Sequence, residues 1–263
     1  MDLNLKNKVA MVAASSKGLG YGIAEALARE GAILSIGSRN KQNFEKAAKK
    51  IKKSTNIQVL ASELDSSNLK SIRNWVDATF REFGGVDKLV INAGGPPTGK
   101  FEDFSDHDWQ SAFELNLLSA VRMIRETLPL MRKRGGGSIL TITSMSVKEP
   151  IDVLVLSNVM RSGVTSLIKS LSIQLAKYNI RLNNLMPGRI DTERIRNLDS
   201  IRSQIENTAI DKIKEKSQAQ IPLGRYGTIE EFGLCGVFLL SDAASYITGS
   251  SLAVDGGALK TVW

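Results

Sequence analysis

The chain holds one cysteine, Cys235, and one histidine, His107. A single cysteine excludes an intrachain disulfide and suits a reducing compartment. It lies in an apolar helical stretch, residues 232–240, where a thiol packs as a small core side chain. His107 stands between Asp106 and Asp108, ahead of a helical pattern, and reads as a capping or surface residue. No group of His, Cys, Asp and Glu has metal-ligand spacing, so no metal is expected. Long apolar runs are also missing. None reaches roughly 18 residues, which excludes a membrane-spanning helix from the expectations. Residues 1–6 lack the apolar core of a signal peptide. A cytoplasmic location is therefore expected. Repeats and low-complexity linkers are absent, and Gly135-Gly136-Gly137 reads as a turn rather than a domain boundary.

Acidic charge is in short supply: 35 Lys and Arg face 27 Asp and Glu, giving a net charge of +8. The excess is spread along helices, as at Lys46, Lys49, Lys50, Lys52 and Lys53. Such clusters read as solvated helix faces. No nucleic-acid motif accompanies them, and no nucleic-acid partner is expected. The 263 residues suffice for one α/β domain with a substantial core.

What is present begins at residue 8. Val9, Met11 and Val12 read as a buried strand, and Ile23, Ala24, Leu27 and Ala28 as the apolar stripe of a helix. Between them lie small residues and Gly18, Gly20 and Gly22. A tight strand-to-helix turn presents free N–H groups and the positive end of the helix dipole, which suits a phosphate. Glycine lets a pyrophosphate approach the backbone closely.

Further apolar strands are expected at 33–37, 58–61, 88–91, 138–143, 180–186 and 251–254. Helical segments fall at 42–53, 69–83, 108–134, 153–178 and 229–241. Strand–helix alternation means a parallel sheet covered on both faces. The expected fold is α/β: a single doubly wound domain over residues 1–263 with about seven parallel strands.

Six ordered segments resemble the classical short-chain dehydrogenase/reductase family over nearly the whole length. The family's T-G-x3-G-x-G motif is matched by Ala13-Ala14-Ser15-Ser16-Lys17-Gly18-Leu19-Gly20, with the leading Thr-Gly changed to Ala-Ala. Its N-A-G segment stands as Asn92-Ala93-Gly94. Its helix Asn stands as Asn116 and its catalytic Ser as Ser144. P-G-x3-T stands as Pro187-Gly188-Arg189-Ile190-Asp191-Thr192, and the last motif runs from Gly249 to Asp255-Gly256-Gly257.

The seventh motif departs from the family. Tyr-x3-Lys, thirteen residues after the Ser, becomes Ser157 and Arg161. No Tyr occurs between Tyr21 and Tyr178, so no shift of register restores it. In the family that phenol protonates the carbonyl oxygen as hydride arrives. A serine hydroxyl is a far weaker acid, and arginine stays protonated. Ser157 and Arg161 share a helix face and can still join Asn116 and Ser144 around an oxyanion. Three readings stay open. One is a reductase of carbonyl or alcohol substrates whose proton comes from elsewhere: a water held by Ser157 and Asn116, or Lys148 or Glu149. Another is an NADPH-binding sensor or assembly subunit. The third is an offshoot with different chemistry.

The resemblance also implies a nucleotide. NAD-preferring members end the second strand with Asp, but this chain has Ser38-Arg39 there. Ser38, Arg39 and Lys17 resemble the residues that receive the 2′-phosphate of NADP(H). Asp65 resembles the adenine-binding acid, and Thr192 the residue that holds the carboxamide while also suiting a helix N-cap. Ala14, Ser16, Gly18, Leu19, Gly20, Asn92, Ala93, Gly94, Pro187, Gly188 and Ile190 complete the implied cofactor contacts. Residues 191–220 resemble a substrate lid, and Gly94-Gly95-Pro96-Pro97-Thr98 the opposite wall. The family further implies a homotetramer paired through the two long helices, with Leu259 to Trp263 near an interface.

Overall fold

The strands alternate their side chains between two apolar layers. Ala10 and Val12 face one layer, and Met11 and Ala13 the other. The structure is a computed structural model describing residues 2–262. The expectation for Trp263 lies outside the described residues.

The first half reads β1 (Val9–Ala13), α1 (Gly18–Arg29), β2 (Ile33–Ser38), α2 (Lys41–Thr55), β3 (Val59–Glu63), α3 (Leu69–Phe83) and β4 (Lys88–Ile91). Next come α4 (Asp106–Ala112), a π-helical turn (Phe113–Leu118), α5 (Ser119–Lys133), β5 (Gly137–Ile142), α6 (Val155–Leu175) and β6 (Ile180–Pro187). Then follow α7 (Glu193–Ile205), α8 (Ile210–Ala219), α9 (Ile229–Leu240) and β7 (Ser251–Val254). The seven strands form one sheet in the order β3-β2-β1-β4-β5-β6-β7, and every pairing is parallel.

The α1, α2 and α9 helices supply Ile23, Leu27, Ile51 and Phe232 to one layer. On the other face, α3, α5 and α6 supply Ile72, Trp75, Met123 and Ile168. A fully buried Ile or Leu contributes about 1.5–3 kcal/mol. Strand order reverses between β1 and β4, which opens a crevice at the carboxyl ends of the strands there.

Two expectations need correction. The helix expected at 108–134 starts earlier, at Asp106, because Ser105 caps it through a reciprocal bond with Asp108. His107 is exposed beside that cap and does not form it. The same helix is broken by the π turn over Phe113–Leu118. One extra residue in a turn barely disturbs apolar periodicity, so the pattern concealed it. The expected lid, residues 191–220, contains two helices, α7 and α8, separated near Asn207, which adopts a left-handed φ of 45°.

Candidate active site

Two glycines shape the loop after β1. Gly18 takes a φ of 62°, a region L side chains avoid. A Cβ on Gly20 would lie 2.6 Å from the Ala14 carbonyl oxygen. Ala14 adopts a φ of 47°, a left-handed conformation that L side chains seldom take. The Asn92 side-chain amide donates to the Ala14 carbonyl at 3.2 Å and ties the end of β4 to this loop.

At the ends of β1 and β2 the hydroxyls of Ser16 and Ser38 lie 2.9 Å apart, and Arg39 is exposed beside them. Lys17 points elsewhere: its ammonium sits 2.5 Å from Glu193 in the first turn of α7. Both side chains are exposed, so this pair contributes little stability, but it bridges the groove from the glycine loop to the expected lid. Asp65 accepts from the amide and hydroxyl of Ser67, which fixes its carboxylate at the end of β3.

Thr192 is buried, and its hydroxyl accepts from the Ile195 amide as the N-cap of α7. Its methyl would lie 3.9 Å from a Cβ on Gly18, so the P-G-x3-T segment closes directly over the glycine loop. Gly188 leaves no room for a Cβ, which would lie 2.6 Å from Asp255 Cα. Ile190 bridges to Gly227.

The reaction side gathers four elements. Asn116 sits in the π turn and donates to the Gly94 carbonyl at 2.9 Å. Its buried Oδ1 has no partner. Ser144 follows β5 and accepts from the Ser146 amide at 3.1 Å. Arg161 Nε donates to Ser157 Oγ at 3.2 Å. One terminal nitrogen donates to the Ile142 carbonyl at 2.8 Å, and the other reaches toward the Ala93 carbonyl at 3.5 Å. Burial, reinforced by repulsion from Arg194, lowers the Arg161 pKa to about 10. Arg161 thus draws α6 against the exits of β4 and β5. Both serine oxygens accept from nitrogen donors, which frees their own hydrogens for a third group.

Sequence reasoning missed three groups. Arg194 donates to the Pro96 carbonyl at 3.2 Å and spans from α7 to the opposite wall. A buried network joins Arg189, Asp199 and Tyr226: Arg189 meets Asp199 at 2.7 Å, and the Tyr226 hydroxyl donates to Asp199 at 2.9 Å. Burial raises the Tyr226 pKa, and its hydrogen is committed to Asp199, so this phenol does not replace the missing one. Thr143 Oγ1 is buried without a partner beside Ser144. None had a spacing signal, although Arg194 follows the Thr of a recognised motif. Glu149, an expected alternative proton donor, accepts from the Lys260 amide at 2.7 Å.

A dinucleotide fits these residues. The Gly20 cradle admits no Cβ, and the hydroxyls of Ser16 and Ser38 with the cation of Arg39 form a donor set for phosphate. Among the described residues, no group of three or more His, Cys, Asp or Glu is placed to hold a metal. Among the described residues, no helix is long and apolar enough to cross a membrane.

Comparison with known proteins agrees with this geometry. The family model described as Enoyl-(Acyl carrier protein) reductase matches residues 13–258. The chain is 34% identical over 255 residues to Dehydrogenase/reductase SDR family member 4 of Oryctolagus cuniculus, covering 97% of this chain and 94% of that protein. It is 31% identical to the 3-oxoacyl-(acyl-carrier-protein) reductase FabG of Chlamydia muridarum, covering 98% and 99%. L-sorbose reductase from Gluconobacter frateurii, solved with NADPH and L-sorbose, superposes with a TM-score of 0.95 at 32% identity over 100% of both chains. YwfH, an NADPH-dependent reductase involved in bacilysin biosynthesis, gives 0.93 at 29% identity, covering 98% and 100%. With the all-parallel sheet, the glycine cradle and these full-length matches together, the chain belongs to the short-chain dehydrogenase/reductase family of oxidoreductases.

Proposed function

We propose that this protein is an NADPH-dependent reductase of a carbonyl substrate, working with Ser157 and Arg161 where the family has Tyr and Lys. The convergence of Asn116, Ser144, Ser157 and Arg161 on the exits of β4 and β5 carries this reading. Support for the cofactor comes from the donor set at Ser16, Ser38 and Arg39 and from relatives solved with NADPH. Lys17 joins that set once it leaves Glu193. Bound in the crevice, NADPH supplies the hydride.

The side chains then stabilise charge on the substrate oxygen. Ser144 and Ser157 direct their free hydrogens at it, and Arg161 polarises the Ser157 hydroxyl through Nε. Oxyanion donors of this kind lower the barrier by about 3–4 kcal/mol each in a preorganised site. The proton that completes the alcohol comes from solvent through a water held on the orphaned Asn116 Oδ1: one hydrogen of that water goes to Oδ1, the other to the substrate oxygen, and a proton from solvent restores the water as it gives its own up. The α7 and α8 helices act as the lid that excludes bulk water, rooted by the Arg189–Asp199–Tyr226 network.

NADPH titration followed by a carbonyl panel tests the reading. NADPH binding with turnover supports it, and binding without turnover of any carbonyl overturns it in favour of a sensor. The family further suggests a homotetramer paired through α5 and α6, and Val159 and Ile173 stand exposed on α6. A monomer by light scattering at micromolar concentration would refute that assembly.

A further inference from the structure

Arg194 differs from the other arginines around the lid. Arg189, Arg196, Arg202 and Arg225 each pair with a carboxylate: Asp199, Asp191, Glu206 and Glu231. Among the described residues, Arg194 meets no carboxylate within 4.0 Å, and neither does Arg161. Nearby acids are engaged elsewhere. Glu193 holds Lys17, Asp191 holds Arg196, and Glu149 holds the Lys260 amide.

Arg194 also sits at the right place. Its guanidinium lies over Gly95, where a Cβ would be 3.0 Å from Nη2, and it donates once, to Pro96. Gly94, next in the wall, has open space where its Cβ would be. Arg194 is accessible to solvent, as a pocket-mouth residue must be, yet surrounding atoms strip enough water to lower its pKa. It is near enough to Arg161 for the two charges to repel. Two uncompensated cations converging on a pocket cost free energy unless an anion joins them.

We propose that the substrate is an oxo carboxylic acid, its carboxylate taken by Arg194 while its carbonyl oxygen meets Ser144 and Ser157. This rests on the reductase reading above and names the substrate class for the same site. A planar guanidinium fork matches a carboxylate bidentately, which takes two of the five Arg194 N–H donors and leaves the bond to Pro96 in place.

The test uses the full-length protein with NADPH and a series of 2-oxo and 3-oxo carboxylic acids, each beside its methyl ester. The acids are expected to exceed their esters in kcat/KM by about 10-fold or more. Arg194→Met is expected to erase that preference, chiefly through KM for the acids, with a thermal midpoint no lower than that of the parent protein. Esters consumed as well as acids would overturn the proposal. So would an equal loss for acids and esters in the variant, or a loss of NADPH affinity that accounts for the effect, since that assigns Arg194 to the cofactor phosphates. Turnover of neither series while another carbonyl of the panel is consumed would overturn the oxo-acid proposal alone, and turnover of no carbonyl would sink the reductase reading. The anion site is then judged by thermal shift of the NADP⁺ complex. Stabilisation by the acids alone, absent in Arg194→Met, supports it, and no stabilisation by the acids overturns it.

Discussion

On the β1–β2 side of the crevice, the polar groups facing the groove satisfy one another. Ser16 pairs with Ser38, Asn92 with the Ala14 carbonyl, and Ser15 with the Val12 carbonyl. On the β5–α6 side they do not. Asn116 Oδ1, Thr143 Oγ1 and Ser146 Oγ are buried without partners, and Arg161 has no carboxylate among the described residues. A side that only holds a ligand tolerates a self-satisfied surface, because the ligand's phosphates accept from backbone and cations. A side that stabilises developing charge keeps donors and acceptors in reserve. The departures from the family fall accordingly. Ala14 stands where the family motif expects a glycine and takes a φ of 47°, whereas Ser157 and Arg161 stand at the spacing where the motif expects Tyr and Lys.

The largest test of this contrast is Ser144→Ala and Ser157→Ala. Each is expected to lower kcat by roughly 10²–10³-fold while NADPH affinity, read by fluorescence titration, stays within about twofold. Parallel loss of affinity and turnover would show that the two sides are not separable. An unaffected kcat in Ser144→Ala would place the chemistry elsewhere, with Lys148 the next residue to substitute.

The second test compares Arg161 with another buried cation, Lys88, at the opposite end of the strands. Lys88 is buried, with Asp242 at 4.0 Å, and burial lowers its pKa to about 8. The unfolded chain keeps that lysine protonated to about pH 10.4. Between about pH 8 and 10.4 the unfolded state therefore binds more protons, so stability rises with pH there and is lower below pH 8. Lys88→Met is expected to raise stability near pH 7, by up to roughly 3 kcal/mol, and to flatten the slope of thermal midpoint against pH from 8 to 10. Activity should be little changed. A steeper slope in the variant would reverse the assignment.

On the cofactor side, Arg39→Ala is expected to weaken NADPH binding by roughly 1–3 kcal/mol and to leave NADH nearly unchanged. Equal losses for both nucleotides would reject the phosphate assignment. The smallest effect belongs to the strap across the groove. Glu193→Gln releases Lys17 from an exposed pair worth at most about 1 kcal/mol. NADPH affinity should rise by no more than about fivefold and become more sensitive to salt, since binding then gains an ion pair without breaking one. A fall in affinity would mean that Glu193 holds Lys17 in its binding position.

Much of this was legible beforehand because it is local. Val9 to Gly20 announce strand, turn and helix within a dozen residues, and the apolar runs at 88–91 and 251–254 coincide with β4 and β7. The spacing from Ser144 through Ser157 to Arg161 marked three residues, and Arg161 links to Ser157 and to the exit of the strand before Ser144. The π turn at Asn116 was hidden because one added residue leaves an apolar stripe nearly intact. The Lys17–Glu193 and Arg194–Pro96 bridges join residues 176 and 98 positions apart, and no local pattern records such a meeting.

The sequence by itself determined the alternation of elements and the glycine cradle, since each is written in neighbouring residues and enforced by backbone sterics and periodicity. Only the tertiary structure decided which charges go unpaired. Pairing depends on which loops the sheet order brings face to face across the crevice, and that is why Arg189, Arg196, Arg202 and Arg225 find carboxylates while Arg194, on the same stretch of chain, faces a wall of glycine and proline.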